Sequence, residues 1–345
     1  MDRDSTIAGF FRFAIVSPEA ADKLFTSLVN AKTPIRLFVY DECHCIHDWG
    51  DTSFRPAFAS LLPELRARHV DEFPPVLALT ATMRVSDEAS MLNIMGMDAA
   101  TRVVHRVPVR RDNVSLHVMR KSGLAEDMLV VAHILRERIP GSIVYRITRK
   151  DCNATADKLR AAGIPCVTYY GCKGDAAVTE VVARKKQNEA NMQAWMAGTA
   201  VVVATAAFGM GVDKADVRVV VNYDCPQSLE SIAQEEGRAG RDGKHADHYV
   251  FVGHNDFITW RGMLDSMKDP ITRERNLKRV DEVEKWAHQQ VTCRVVGLFK
   301  PFDDDDTFCA KCDLCVSMAA MEDADASGAR TILTMLASSH GSCSE

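Results

Sequence analysis

The sequence predicts two parallel-sheet α/β domains followed by a small helical module, on three observations. Short β-branched runs alternate with helix-prone stretches, which is the rhythm of strand–helix–strand units. These runs fall into two sets on either side of a more polar stretch around 106–126. After Val252 the strand pattern stops, and a charged region from Arg261 to Gln290 leads to an acidic run, Asp303 to Asp306, and a tight cysteine cluster.

In the first set, Phe13 to Val16, Leu37 to Tyr40 and Val76 to Leu79 read as strands. In the second, Ile143 to Ile147, Val167 to Tyr169, Val201 to Thr205, Val217 to Asn222 and Tyr249 to Val252 do so. Asp151 to Ala162 reads as a helix with Asp151 as N-cap and Gly163 just past its end. Beyond Ser317 the residues are small and polar apart from Ala329 to Leu336, an isolated amphipathic segment.

With 345 residues, 47% of them apolar, the chain has enough material for more than one core. A net charge of -5 and a pI near 6.1 exclude a protein that coats nucleic acid by bulk charge, but leave room for one local DNA groove. The longest apolar stretch, near Val201 to Val212, is too short to span a bilayer, and the N-terminal apolar run is interrupted by Arg12 and preceded by aspartates. No membrane association and no secretion are therefore expected. Eleven cysteines, an odd number and mostly scattered, fit reduced thiols in cytosol or nucleus.

Asp41-Glu42-Cys43-His44 ends the apolar run Leu37 to Tyr40, and carboxylates at the C-terminal tip of a parallel strand sit where such sheets bind ligands. The first carboxylate suits Mg²⁺ and the second an attacking water; an acidic pair ending a strand in solvent is the plain alternative. Trp49, Phe54 and Arg55 follow on a polar loop, where aromatics beside arginine suit unpaired bases and phosphates. Packing of the loop onto its own domain would use the same aromatics. Thr80 and Thr82 flank Ala81 at the end of another apolar strand, with hydroxyls placed to link a nucleotide site to a neighbour.

The richest block runs from Val202 to Gly243. Within it, Gly209 and Gly211 let backbone approach a ligand, while Gln234, Arg238 and Arg241 lie on a glycine-rich turn. Guanidinium groups there suit the charge that develops on a transferring phosphoryl group. Cys293, Cys309, Cys312 and Cys315 give C-x15-C-x2-C-x2-C, a spacing that lets four thiolates close a tetrahedral, structural Zn²⁺ site.

DECHCIHDWG with FRP, then ATAAFGMGVDK and QEEGRAGRDG, resemble motif II with its aromatic-rich loop, motif V and motif VI of the RecQ helicases in superfamily two. Weaker similarities lie at Ile15 to Glu19, Arg111-Asp112-Asn113 and Val144 to Arg149, and the cysteine cluster resembles that family's zinc module. Cys43, Met83 and Tyr170 depart from the family pattern, as does a loop between Trp49 and Phe54 that is one residue longer.

The resemblance implies two RecA-like motor domains, the first incomplete, and a zinc module. The implied boundaries are 1–109, 110–253, 254–316 and a tail, 317–345, that would open a winged-helix domain. It further implies a 3′–5′ ATP-dependent DNA helicase of recombination or repair, using ATP and Mg²⁺ and acting on single-stranded or forked DNA, nuclear in a eukaryote and otherwise cytoplasmic.

By the same resemblance, Asp41 and Glu42 handle Mg²⁺ and water, and His44 links them to the polar motifs of the second domain. Gln234 senses nucleotide or DNA state, Arg241 is the finger and Arg238 its partner. Gly209, Gly211 and Asp213 lie near the nucleotide. Trp49, Phe54, Arg55, Thr82, Arg149 and Thr205 meet DNA. Cys43 and Cys45, beside the nucleotide site, are open to oxidation.

No G-x-x-x-x-G-K-S/T string occurs, and the lone Gly243-Lys244 pair lies beyond motif VI. The sequence is accordingly read as a piece of a longer helicase, cut at both ends and without ATPase activity alone. The alternative is a catalytically silent nucleic-acid-binding or regulatory relative. A first sheet without its phosphate-loop strand should be poorly stable.

Overall fold

The computed structural model describes residues 12–46, 57–70, 73–172, 176–209, 212–303 and 307–319. The chain divides into two compact units. The first comprises Met1–Val109, Met267–Arg275 and Pro301–Asp303; the second comprises Arg110–Ser266, Asn276–Lys300 and Asp304–Glu345.

The first unit contains α1 (Pro18–Asn30), β1 (Phe38–Tyr40), α2 (Ala57–Arg68), β2 (Val76–Ala78) and α3 (Val85–Ile94). Ser17 caps α1 in extended geometry and Pro18 starts it, where a missing N–H costs nothing. Strands β1 and β2 pair in parallel, Phe38 beside Val76 and Tyr40 beside Ala78. One face of this pair meets a core of Phe25, Phe58, Leu61, Leu62, Leu65, Met91 and Met95.

On the alternate positions, Leu37, Val39, Leu77 and Leu79 remain 42–49% exposed. Parallel sheets are normally covered on both faces. Native-state hydrogen exchange is therefore expected to find the β1–β2 amides far less protected than those of the central strands of the second unit. Equal protection would contradict this reading. Phe13 to Val16 forms no strand: Phe13 and Ile15 are 84% and 89% exposed, and β-branched composition makes a strand only where a partner ladder is offered.

The second unit is built on a six-stranded, all-parallel sheet. Its strands are β3 (Val114–Arg120), β4 (Ser142–Tyr145), β5 (Cys166–Tyr169), β6 (Val201–Ala204), β7 (Val219–Asn222) and β8 (Ala246–Val252), in the order β3-β8-β7-β4-β6-β5. Every residue of β4, β6 and β7 is buried, which is why their sequences are nearly continuous apolar runs.

Alternate residues feed two cores. Val144, Val201, Val203, Val219 and Val221 meet α4 (Leu124–Arg136) and α5 (Arg149–Ala161), while Ile143, Val202, Ala204 and Val220 meet Trp195 of α6 (Val178–Met196). Trp195 is fully buried and its indole N–H donates to the Ser142 carbonyl at 3.0 Å. Further helices are α7 (Leu229–Glu236), α8 (His254–Asp265), α9 (Pro270–His288) and α10 (Arg294–Phe299). Among the described residues, no helix is long and apolar enough to cross a membrane.

Two further expectations differ from the structure. The polar stretch 106–126 contains β3, an edge strand pairing along its whole length with β8; its interspersed Ser115, His117 and Arg120 mask the strand signal. The cap of α5 is Thr148, not Asp151. The Asp151 amide donates to the Thr148 hydroxyl at 3.1 Å, and that hydroxyl donates to the Asp151 carboxylate at 2.5 Å, so Asp151 is the third helical residue of a reciprocal cap.

Candidate nucleotide-handling residues and metal centre

In the first unit, Asp41 and Glu42 follow directly on β1, at the edge where parallel sheets receive ligands. The ladder continues past the strands, Leu79 donating to the Tyr40 carbonyl and Cys43 to the Leu79 carbonyl, each at 2.9 Å. Glu42 adopts a left-handed φ of 52°, sparsely populated for a side-chain-bearing residue. Its amide donates to the Asp41 carboxylate at 2.9 Å.

His44 Nδ1 lies 2.9 Å from the Thr80 hydroxyl and 3.3 Å from Glu42 Oε2. Thr80, rather than Thr82, is thus the hydroxyl that joins the acidic tip to the neighbouring strand. Thr82 is 4% exposed and its amide donates to Thr80 Oγ1 at 3.3 Å. Cys43 and Cys45 are buried, and burial pushes the Cys43 thiol up to about 12, with the charges of Glu42 and Asp41 adding to it. A thiol so held is a poor target for oxidation, contrary to the expectation from sequence. Trp49, Phe54, Arg55 and Gly211 lie outside the described residues.

In the second unit, Arg241 donates to the Asp213 carboxylate at 2.8 Å and to the Val212 carbonyl at 3.2 Å, so the two sequence blocks meet. Arg238 is 7% exposed, and one guanidinium nitrogen lies 3.0 Å from where a Cβ on Gly209 would stand. Glycine at 209 is what admits that arginine. Gln234 is half-buried on α7. A third arginine, Arg111, has its pKa held below the ordinary value, first by burial and then by the charge of Arg241. Arg149 begins α5 after the tip of β4, and Thr205 follows β6, the adjacent strand, so both lie on one edge of the sheet.

Beneath the arginine turn runs a buried polar chain. Asn222 donates to Glu235 Oε2 at 2.5 Å and lies 2.6 Å from His248 Nε2 through its Oδ1; His248 Nδ1 is 3.4 Å from Glu236 Oε2. Burial pushes the Glu235 carboxyl up to about 7, against the Asn222 bond and the charge of Arg238. A carboxyl raised on folding contributes stability below its unfolded pKa and loses that contribution as pH rises through about 7. Glu235→Gln is therefore expected to flatten the fall in stability from acid to neutral pH in denaturant titrations. An unchanged pH slope would show that Glu235 ionises normally.

A cavity of about 470 Å³ opens where the tips of β3, β4, β7 and β8 converge. Lys121 there pairs with Asp224 at 2.9 Å and Asp256 at 2.6 Å, and Arg146 pairs with Asp224 at 2.7 Å. The Tyr223 ring has Lys121 and Arg146 each at 4.6 Å from its centre, and its hydroxyl donates to Asp127 at 2.8 Å.

The four cysteines converge as their spacing implies. The sulfurs of Cys293, Cys309, Cys312 and Cys315 all lie within 4.8 Å of one another, with Cys309 to Cys315 and Cys312 to Cys293 at 3.9 Å. Tetrahedral Zn–S bonds of about 2.3 Å require sulfur edges of about 3.8 Å. Backbone amides point at the sulfurs: Cys312 to Cys309 Sγ at 3.2 Å, and Arg294 to Cys312 Sγ and Cys309 to Cys293 Sγ at 3.4 Å. Burial opposes ionisation of Cys293, but the amides of Cys309 and Val296, with the sulfurs of Cys309 and Cys315, bring its thiol down to about 7, whereas burial and the neighbouring sulfurs push Cys315 up. Four thiolates so close need a cation. The donor set fits a structural Zn²⁺ with no open position.

A doubly wound parallel sheet bearing a glycine-flanked arginine turn, followed by a Cys₄ module, defines a superfamily-two helicase C-terminal motor domain with a zinc appendage. Residues 126–243 match the helicase conserved C-terminal domain, and residues 254–316 match the RecQ zinc-binding family. The putative ATP-dependent DNA helicase Q1 of Caenorhabditis briggsae is 33% identical over 289 residues, 81% of this chain and 43% of that protein. The ATP-dependent DNA helicase hus2/rqh1 of Schizosaccharomyces pombe is 32% identical over 315 residues, 88% and 22% of the respective chains.

The ATP-dependent DNA helicase RecQ of Bacillus subtilis is 25% identical over 315 residues, 91% and 51%. On these matches the chain belongs to the RecQ family of superfamily-two helicases. It spans about a fifth to a half of the length of these relatives. The Mycobacterium smegmatis helicase Lhr bound to ssDNA and AMP-PNP aligns with a TM-score of 0.54 at 18% identity, covering 86% of this chain and 38% of that one, a likeness of fold alone.

Proposed function

We propose that this chain is part of an ATP-dependent 3′–5′ DNA helicase of recombination or repair, nuclear in a eukaryotic cell, which binds single-stranded or forked DNA. The observation that supports it best is the meeting of Arg238 with Gly209 and of Arg241 with Asp213, in the same compact unit that holds the Cys₄ cluster. In this reading Asp41 holds Mg²⁺ through water and Glu42 orients the attacking water. Arg241 and Arg238 offset the charge on the transferring phosphoryl group, and Gln234 senses nucleotide state. Residues 1–109, 110–253 and 254–316 act as partial first motor domain, second motor domain and zinc module.

The chain contains no G-x-x-x-x-G-K-S/T string. Backbone N–H groups of that loop cradle the phosphates and its lysine reaches them. The chain alone is therefore expected to hydrolyse ATP at background rate with or without single-stranded DNA, while binding a labelled single-stranded oligonucleotide in fluorescence anisotropy. DNA-stimulated turnover abolished by Glu42→Gln would sink the inactivity claim. Failure to bind the oligonucleotide would sink the helicase reading. The missing string also favours a second reading, a catalytically silent nucleic-acid-binding protein. Fusing a relative's phosphate-loop segment upstream separates the two, since activity is restored only if the machinery kept here is competent.

A further inference from the structure

We infer that the zinc loop holds the arginine turn in place through the segment leading into β3, which makes Asn113 a positioning residue for Arg238 and Arg241. The catalytic meaning of that turn rests on the function proposed above; the mechanical link stands on contacts within the second unit.

On the metal side, two bonds tie the zinc loop to this segment and a third ties it to β3 itself. Arg110 donates to the Thr307 carbonyl at 2.7 Å, two residues before Cys309. Lys311, between Cys309 and Cys312, donates from Nζ to the Asp112 carbonyl. Asp313, directly after Cys312, accepts from the Val118 amide at 3.4 Å on the outer edge of β3 and from Arg294 at 3.2 Å. Lys311 is aimed by a knuckle whose Ala310 has φ 58°, a left-handed conformation that costs free energy for alanine. The Cys312 amide, bonded to Cys309 Sγ, closes that knuckle. Metal-bound thiolates are strong acceptors for such amides, so the knuckle keeps its strained shape while the site is filled.

On the other side, the Asn113 side-chain amide donates to the carbonyls of Gly240 and Lys244, both at 2.8 Å, and the Asn113 carbonyl accepts from the Ala246 amide at 3.0 Å. Those bonds grip both ends of the turn that follows Arg238 and contains Arg241. Gly240 has φ +57°, and a Cβ there would collide with the Asn113 amide. The turn's backbone is thus shaped around Asn113. Residues 110–113 therefore hold the zinc loop through Arg110 and Asp112 and the arginine turn through Asn113.

The experiment is amide hydrogen exchange on the full zinc-loaded chain, read at Gly240 and Ala246, with β6 (Val201–Ala204) as internal reference. In Arg110→Ala/Lys311→Ala, with zinc still at one per chain, exchange at Gly240 and Ala246 is expected to rise about tenfold or more while β6 stays unchanged. Asn113→Ala should give the same loss, and combining it with the double variant should add nothing. Unchanged exchange at Gly240 and Ala246 in the double variant overturns the proposal. Losses that multiply in the triple variant do so as well, because zinc would then act by some other route.

Should the double variant lose zinc, chelating the wild type and Asn113→Ala makes the same comparison. The link then requires the wild-type turn to loosen to the Asn113→Ala level and the variant to change no further; any other result refutes it. No readout uses ATP or DNA, so failure of the link leaves the proposed function standing, and failure of that function leaves the link measurable.

Discussion

Replacing Cys312 by serine is expected to empty the four-sulfur site and unfold the chain around residues 293–319. Cys312 is fully buried, and its sulfur accepts from Arg294 N at 3.4 Å and Cys315 N at 3.5 Å. Structural zinc contributes on the order of 10–16 kcal/mol of apparent binding free energy in small zinc modules, comparable with the whole stability of a domain. Zinc content measured by atomic absorption should fall from one per chain to none. A loss of even ~4 kcal/mol would lower the Tm by about 10 °C at roughly 2–4 °C per kcal/mol. A zinc-free protein melting at the wild-type temperature would show that the cysteines carry no structural load.

The second large effect is expected at Asp224. Its carboxylate is 8% exposed and bonds Arg146 at 2.7 Å, Lys121 at 2.9 Å and the Ile147 amide at 3.0 Å. Asp224→Ala leaves the buried Arg146 charge with only distant Asp151, at 3.9 Å, and should cost roughly 3–5 kcal/mol in denaturant unfolding at neutral pH, the range for breaking a buried pair from one side. Burial acts to raise the Asp224 pKa, but Arg146 and Lys121 outweigh it and hold the carboxyl below its usual range.

A depressed folded-state pKa contributes stability in full above the unfolded value, about 4, and loses it as pH falls through the folded one. Acid titration of wild type should therefore show a stability loss below about pH 4 that Asp224→Asn removes. A cost under about 1 kcal/mol for Asp224→Ala would place this network among weak surface pairs.

The sheet of the second unit was legible because its central strands are buried on both faces, so burial is written into each strand as an unbroken valine run, as at Val201 to Val203 and Val219 to Val221. Strand β3 was not, because an edge strand needs its apolar side only toward the core; it is recognised by its pairing, Val114 beside Ala246 and Arg120 beside Val252. The cap of α5 was misread by three residues, since Thr148 and Asp151 are both capping types and only their mutual bonds assign the roles. Among candidate site residues, Asp41, Glu42, Arg238, Arg241 and the cysteines announced themselves by type and spacing. Arg111, Asn222 and His248 did not, because each works through a partner far away in the chain; Thr80 was legible as one of two hydroxyls, and only its bond to His44 chose it over Thr82.

What this sequence determined by itself was local: which runs are buried, where a carboxylate pair ends a strand, where glycines flank arginines, and that four cysteines are spaced for one tetrahedral ion. Tertiary structure decided which distant segments meet. It joined His44 to Thr80, Arg241 to Asp213, Asn113 to Gly240, and Lys311 to Asp112. The physical reason is that periodicity and propensity act over a few residues, whereas a hydrogen bond between remote segments depends on strand order and register, which are selected by the packing of the whole sheet.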